Sequence, residues 1–573
     1  MSRKKPNLIF LIILCIVLFL STLLLRQYLQ SEDARFKAYA DELFRQEVTN
    51  NTITLHYTLK SPSSYKVYDT PISLGHISTD TDAMGASAEN ALTRLHLYNR
   101  NKLSTENQLI YDLLEHSFST SKEMSKYALY EEPLSPLTGT QSQLPVLLSE
   151  YQFYSTDDVE IYLKLLKKFP DYMQGLIDFE TARAEAGLFM SDARVDAIVK
   201  ECDAFVNMGD QHYLHKTFQN RLKGLNLSKD KYQSYTSENA KYIKKYIYPS
   251  YELLKKHLNE LQGTGTNENG LCYFPDGKNY YELLVKECTG SNRSIIELKI
   301  LTMEQISEDL NDMQNALDEF ANTPSDSSEI FTDSNPSALL NTLKNKLSGN
   351  FPTPPEVDIS IKYVDESMED YLSPAFYLIP AIDNSDENVI YINPPHMTDD
   401  LSLFTTLAHE GYPGHLYQTT YFASQDSAPI RSLLGCGGYT EGWATYCEMI
   451  SYYFAPVSNP LATLMQKSSS VMLGLYAYAD IGIHYEGWTL PDTIDFFNDY
   501  GVNDTDAVRE IFNLIIGDPT NYLKYYIGYL EFLELKKDAI KEWGNEFSQE
   551  RFHREILETG PVPFSLLRKA LNL

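Results

Sequence analysis

Residues 409 to 415 read His-Glu-Gly-Tyr-Pro-Gly-His, and Glu441 stands 26 positions beyond the second histidine, opening a stretch that runs to Glu448. Imidazole nitrogen and carboxylate oxygen are donors that zinc prefers. Three protein ligands leave a coordination position for water, and a neighbouring carboxylate can take that water's proton. His409, His415 and Glu441 are the expected ligands of one zinc ion, with Glu410 as general base. Alone, a His-Glu pair with another histidine six residues on is a weak pattern; the two later glutamates strengthen it.

The spacing sets a geometric condition. Histidines four apart lie about 40° from each other around a regular helix, whereas six apart lie about 240° round. One unbroken helix over 405–416 therefore cannot point both at one ion. Pro413 lacks an N–H and disfavours helical geometry at Tyr412, and Gly414 tolerates backbone angles closed to other residues, so a kink or bulge is expected between the histidines. Upstream, Thr398 is the expected cap, Asp399 and Asp400 suit a first turn, and Leu401, Phe404, Leu407 and Ala408 give an apolar face. In the second segment, entered through Gly435-Cys-Gly-Gly438, Glu441 and Glu448 at i and i+7 face one way if the segment is helical. Glu448 is then free to orient a metal-bound imidazole from behind. Cys436 and Cys447 bracket Glu441 and read as buried free thiols.

These residues carry a resemblance. His409 to His415, Glu441-Gly-Trp-Ala444, Asp480-Ile-Gly-Ile-His484, Pro519 with Tyr525 and Gly528, and Phe552-His553 with Gly560 and Pro563 resemble the bacterial "domain of unknown function 885" proteins, over roughly 360–573 and more weakly upstream. Such proteins are similar to gluzincin peptidases of the thimet oligopeptidase and Taq carboxypeptidase kinds, helical bodies that enclose a deep channel. Two departures stand out: Leu416 occupies a position where family members often carry a further histidine, and gluzincins lack the two extra residues between the motif histidines. The resemblance implies a mainly α fold with a large helical body around a channel, and it matches the interval to Glu441. It also implies that a Tyr or His from the C-terminal stretches assists the reaction, which makes His484 and Tyr525 the leading candidates and Tyr526 and His553 further ones that touch substrate.

The rest of the chain must build that body. Residues 33–48, 86–117, 158–187, 190–208, 229–262 and 294–321 place apolar residues at three- and four-residue spacing, as packed helices do. Breaks fall at 263–270, 323–336 and 351–355, and a soft boundary near 330 divides a helical region (32–330) from the metal-site region (331–573) of the same body. Asn388 to Asn393 reads as a short strand near the metal helix, and a free strand edge there would let Tyr391 and its neighbours pair with an extended peptide. Arg431 offers a planar fork for a substrate carboxylate. Cys272 and Cys288 flank a turn-rich stretch that a disulfide could close outside the cytoplasm.

With Lys plus Arg at 48 against Asp plus Glu at 78, the net charge is −30, which disfavours nucleic acid or an anionic membrane surface as partner of the main body. Arg3, Lys4 and Lys5 precede an uncharged apolar run, residues 8–25, closed by Arg26. Eighteen helical residues reach about 27 Å, close to a bilayer's hydrocarbon thickness. Residues 1–31 are thus expected to form a single-pass anchor with an extracytoplasmic body, secretion after signal cleavage being the alternative. The expected function is a zinc-dependent peptidase. The alternatives are hydrolysis of a non-peptide amide and a catalytically inactive peptide- or ligand-binding ectodomain. Oligomeric state is not legible in the sequence.

Overall fold

The computed structural model describes residues 31–136, 138–265, 267–322, 331, 334–364, 366, 369 and 372–573. It is mainly α-helical with one small sheet. The N-terminal helices follow the periodic stretches, several of them started by a side chain that accepts from the first free N–H groups. Ser31 opens Glu32–Val48 by accepting from Ala34 N at 3.2 Å, and Ser155 forms a capping box with Asp158 at the head of Thr156–Leu166. Two of the long periodic stretches are divided. Residues 86–117 fall into Thr81–Leu95 and Thr105–Met124, and 158–187 into Thr156–Leu166 and Phe169–Glu185, the second break lying just before Pro170.

The elements that surround the site come from the second half of the chain. Helix α1 (Gly277–Thr289) is followed by α2 (Ile295–Asn322), then strands β1 (Asp358–Tyr363), β2 (Ala375–Leu378) and β3 (Glu387–Ile392). Next come α3 (Asp400–Glu410), α4 (His415–Ala423), α5 (Gly437–Ser451), α6 (Asn459–Ile481), α7 (Asn521–Trp543) and α8 (Gln549–Thr559). The sheet order is β1-β3-β2, with β1 parallel and β2 antiparallel to β3. The strand foreseen at 388–393 is therefore the central one and has no free edge. That corrects the expectation that peptide pairs along it: β2, beside the metal helix, is an outer strand. Side chains alternate across β3. Ile390 and Ile392 join the core with Phe404 and Leu407, while Val389 and Tyr391 face the core of the N-terminal helices. The larger apolar cluster spans the boundary near 330, running from Leu113 to Leu571.

Two further expectations are corrected. The span proposed at residues 8–25 lies outside the described residues, and among those described no helix is long and apolar enough to cross a membrane. Even the 28-residue α2 carries Glu304, Glu308, Asp309 and Asp312 midway, and charges of that kind are costly in hydrocarbon. No transmembrane helix is assigned among the described residues. Cys272 and Cys288 are free thiols, so the disulfide does not form; Cys436 and Cys447 are free and buried.

Candidate functional site

Helix α3 starts at Asp399, which accepts from Ser402 N at 2.8 Å in place of the expected Thr398. Phe404, Leu407 and Ala408 are buried, which fixes the helix face and turns its last residues, His409 and Glu410, toward β2 and α5. The helix then stops. Gly414 N donates to Ala408 O at 2.9 Å, folding residues 411–414 back on the helix end, and α4 begins at His415. Only glycine fits position 414, since a Cβ there would lie 1.8 Å from the His409 carbonyl oxygen. The loop is held from outside by Trp443 Nε1, which donates to Pro413 O at 2.9 Å. The expected interruption thus takes the form of two separate helices, and it brings the two imidazole rings to 4.8 Å between centroids, nearly perpendicular at 83°.

Helix α5 supplies the carboxylates. Glu441 Oε2 lies 3.3 Å from His415 Nε2 and 3.7 Å from His409 Nε2, and Glu448 Oε2 lies 3.0 Å from His409 Nδ1. Tetrahedral zinc with bonds of about 2.0–2.1 Å places neighbouring donor atoms about 3.3 Å apart. The separations of Glu441 Oε2 from the two Nε2 atoms, 3.3 and 3.7 Å, lie close to that requirement. His409, Glu410 and His415 also offer donor atoms within 4.8 Å of one another, so Glu410 competes for the third position. Its Oε2, however, accepts from Tyr377 N on β2 at 2.8 Å, while Glu441 points between both imidazoles. Burial opposes charge on His409, but Glu441, Glu448 and Glu410 outweigh it and raise its basicity well above the ordinary imidazole. Burial likewise pushes Glu441 up, yet the two histidines outweigh it and hold its carboxyl well below the usual range.

Tyr525 also reaches this cluster, its ring centroid 6.2 Å from that of His409. Burial, followed by the charges of Glu441, Glu410 and Glu448, raises the Tyr525 hydroxyl far above its ordinary value, so it stays a proton donor. The close approach of α5 and α7 makes this contact geometrically feasible: a Cβ on Gly442 would lie 2.3 Å from the Gly528 carbonyl carbon, and one on Gly528 would lie 2.1 Å from Gly438 O.

The other candidates are engaged elsewhere. His484 is buried with Nδ1 accepting from Leu271 N at 3.1 Å and Nε2 facing Ile515 O at 2.9 Å, so both nitrogens serve the backbone. His553 is buried between Asn350 O and the Tyr446 hydroxyl, stacked on Phe351 at 4.0 Å. Tyr526 is buried in the core against Gly474. Arg431 lies buried over Phe422, and its guanidinium donates to the Thr559 and Pro561 carbonyls instead of awaiting a carboxylate. Tyr391 donates to Glu150 at 2.6 Å and stacks on Phe376 on the sheet face away from α3. Sequence reasoning missed the Tyr377 N–H as the partner of Glu410, a main-chain group that no side-chain pattern announces. The apolar run Ala375–Leu378 after Pro374 was its only local trace.

A solved structure of a candidate lipoprotein from Colwellia psychrerythraea superposes with a TM-score of 0.81 at 18% identity, covering 95% of this chain and 99% of that one. A candidate lipoprotein of unknown function from Shewanella oneidensis gives 0.66 at 16% identity, covering 94% and 100%. Both share the fold. A candidate oligoendopeptidase F from Bacillus anthracis strain Ames reaches only 0.33 at 10% identity, over 85% and 92% of the two chains, a likeness too slight to carry an argument. No curated protein matches the sequence. Residues 73–571, which include every residue of the cluster around His409, match the family described as bacterial protein of unknown function (DUF885), and the chain belongs to that family.

Proposed function

We propose that this protein is a zinc-dependent hydrolase of peptide bonds. The observation that carries the reading is the convergence of His409 Nε2, His415 Nε2 and Glu441 Oε2, with Glu410 anchored beside them on the Tyr377 N–H. A zinc ion held by those three side chains would supply a Lewis acid and lower the pKa of water. Glu448 accepts from His409 Nδ1–H, which leaves the Nε2 lone pair facing Glu441 and His415. Glu410 takes the proton of the attacking water and passes it to the departing amine. The Tyr377 N–H keeps its carboxylate aimed during both transfers. Tyr525 donates toward the oxygen on which negative charge develops. Two solved structures of the same fold are described as candidate lipoproteins, which supports a membrane-associated or extracytoplasmic body for this chain.

The test is a peptide-library digest read by mass spectrometry, run alongside metal analysis of the purified protein. The wild type is expected to bind about one zinc per chain and to cleave peptides until a chelator is added. Glu410→Gln is expected to keep the zinc and lose at least a hundredfold in rate, since removal of a general base typically costs about 10²–10⁴-fold. Full activity in Glu410→Gln, or cleavage indifferent to chelator, would overturn the reading.

A further inference from the structure

The motif Asp480-Ile-Gly-Ile-His484 has no side chain at the proposed metal site, yet it contains a fully buried carboxylate. Asp480 lies near the end of α6, just before the chain passes into the π-helical turn Gly482–Glu486, and its complete burial adds a desolvation cost to any negative charge there. Its partners come from two other elements. Oδ1 accepts from the Tyr281 hydroxyl of α1 at 2.6 Å, and Oδ2 accepts from Thr520 N at 2.9 Å. Thr520 immediately precedes α7 at φ 71°, a left-handed conformation unusual for a β-branched residue, and its own side chain does not cap the helix. The start of α7 therefore takes its acceptor from another helix.

That helix carries Tyr525 five residues after Thr520, about 7.5 Å along its axis. Three residues beyond Tyr525, Gly528 presses against Gly442 and Gly438 of α5. Tyr525 thus hangs between two fixed points, one made by Asp480 and the other by glycines. We propose that Asp480 is a positioning residue that sets the first turn of α7 and, through it, the placement of the Tyr525 hydroxyl over the His409–His415–Glu441 cluster. The role given to Tyr525 rests on the hydrolase reading; the placement does not.

The experiment introduces 3-fluorotyrosine at position 525 of the full chain and compares wild type, Asp480→Ala, Asp480→Asn and a control, Asp33→Asn, which removes a carboxylate hydrogen-bonded to Asn107 far along the chain from α7. In Asp480→Ala the ¹⁹F resonance is expected to shift and broaden, with zinc content retained and kcat down about tenfold to a hundredfold at unchanged KM, as suits a misplaced group. Asp480→Asn keeps the shape and an acceptor for Thr520 N, and is expected to restore most of the resonance and the rate. The control leaves the resonance in place even if its Tm falls. If Asp480→Ala does not fold, Tyr281→Phe removes one of the two clasps and a smaller shift of the same resonance is expected. An unmoved ¹⁹F signal in folded Asp480→Ala or Tyr281→Phe overturns the proposal. Should the wild type cleave no peptide, the hydrolase reading fails while the resonance still decides the placement.

Discussion

His409 is gripped at both ring nitrogens, and this arrangement distinguishes the site from a chance meeting of polar groups. With Glu448 at Nδ1, the ring's rotation is set and Nε2 is the nitrogen turned toward Glu441 and His415 before any ion arrives. Replacing Glu448 by Gln is expected to weaken zinc binding by about 10–100-fold, measured by competition with a coloured chelator, whereas Glu441→Ala is expected to abolish stoichiometric binding. Equal affinity in Glu448→Gln and wild type would deny the orienting role. The meeting of His409, His415 and Glu441 was legible in the sequence because side chains suited to a metal ion are written there in their types and spacing. The partners of His484, His553 and Arg431 were not legible, because they are backbone groups and, for His553, also the Tyr446 hydroxyl, all brought in from 31 or more residues away.

Helix periodicity located most elements, since an apolar stripe must recur every three or four residues whatever it packs against. The position of β3 within its sheet depends on two strands of different local pattern, so nothing at 388–393 could announce that it is central. Helix ends have their own chemistry. In the π-helical turn Gly482–Glu486 that follows α6, the His484 imidazole accepts from Leu271 N and is driven down to about 4 by burial. The unfolded chain takes up this proton below about 6.5 and the folded one only below about 4, so the stability His484 confers is complete above pH 6.5 and lost as pH falls through that window. In His484→Gln the slope of unfolding free energy against pH, measured by urea titrations between pH 4.5 and 6, is expected to drop by about 1 kcal/mol per pH unit. Superimposable slopes would show that His484 is protonated in the fold.

At the scale of the whole chain, a net charge of −30 gives self-repulsion that a bound divalent cation offsets locally. An ion that binds only the folded state adds stability in proportion to the logarithm of its free concentration, about 4 kcal/mol at a thousandfold excess over Kd. Calorimetry is therefore expected to find a lower Tm after chelation and its recovery with added zinc. A Tm indifferent to both would mean that no ion is held. The mainly α architecture could be read in advance, because composition and periodicity are global properties. The close contact between α5 and α7 could not, because it depends on Gly438, Gly442 and Gly528 meeting across 86 residues of chain.

That contact also sets an order of events. A polypeptide emerging head first, from a ribosome or through a pore, exposes His409 and His415 long before Gly528 arrives to seat the helix bearing Glu441 against its neighbour. Phe564 N then ties the tail to Gly290 O at 3.0 Å. If the proposed ion is bound, its loading is in consequence a late act in this protein's biogenesis, and chains stalled anywhere before residue 528 would leave the cell holding two histidines with nothing firm to grip.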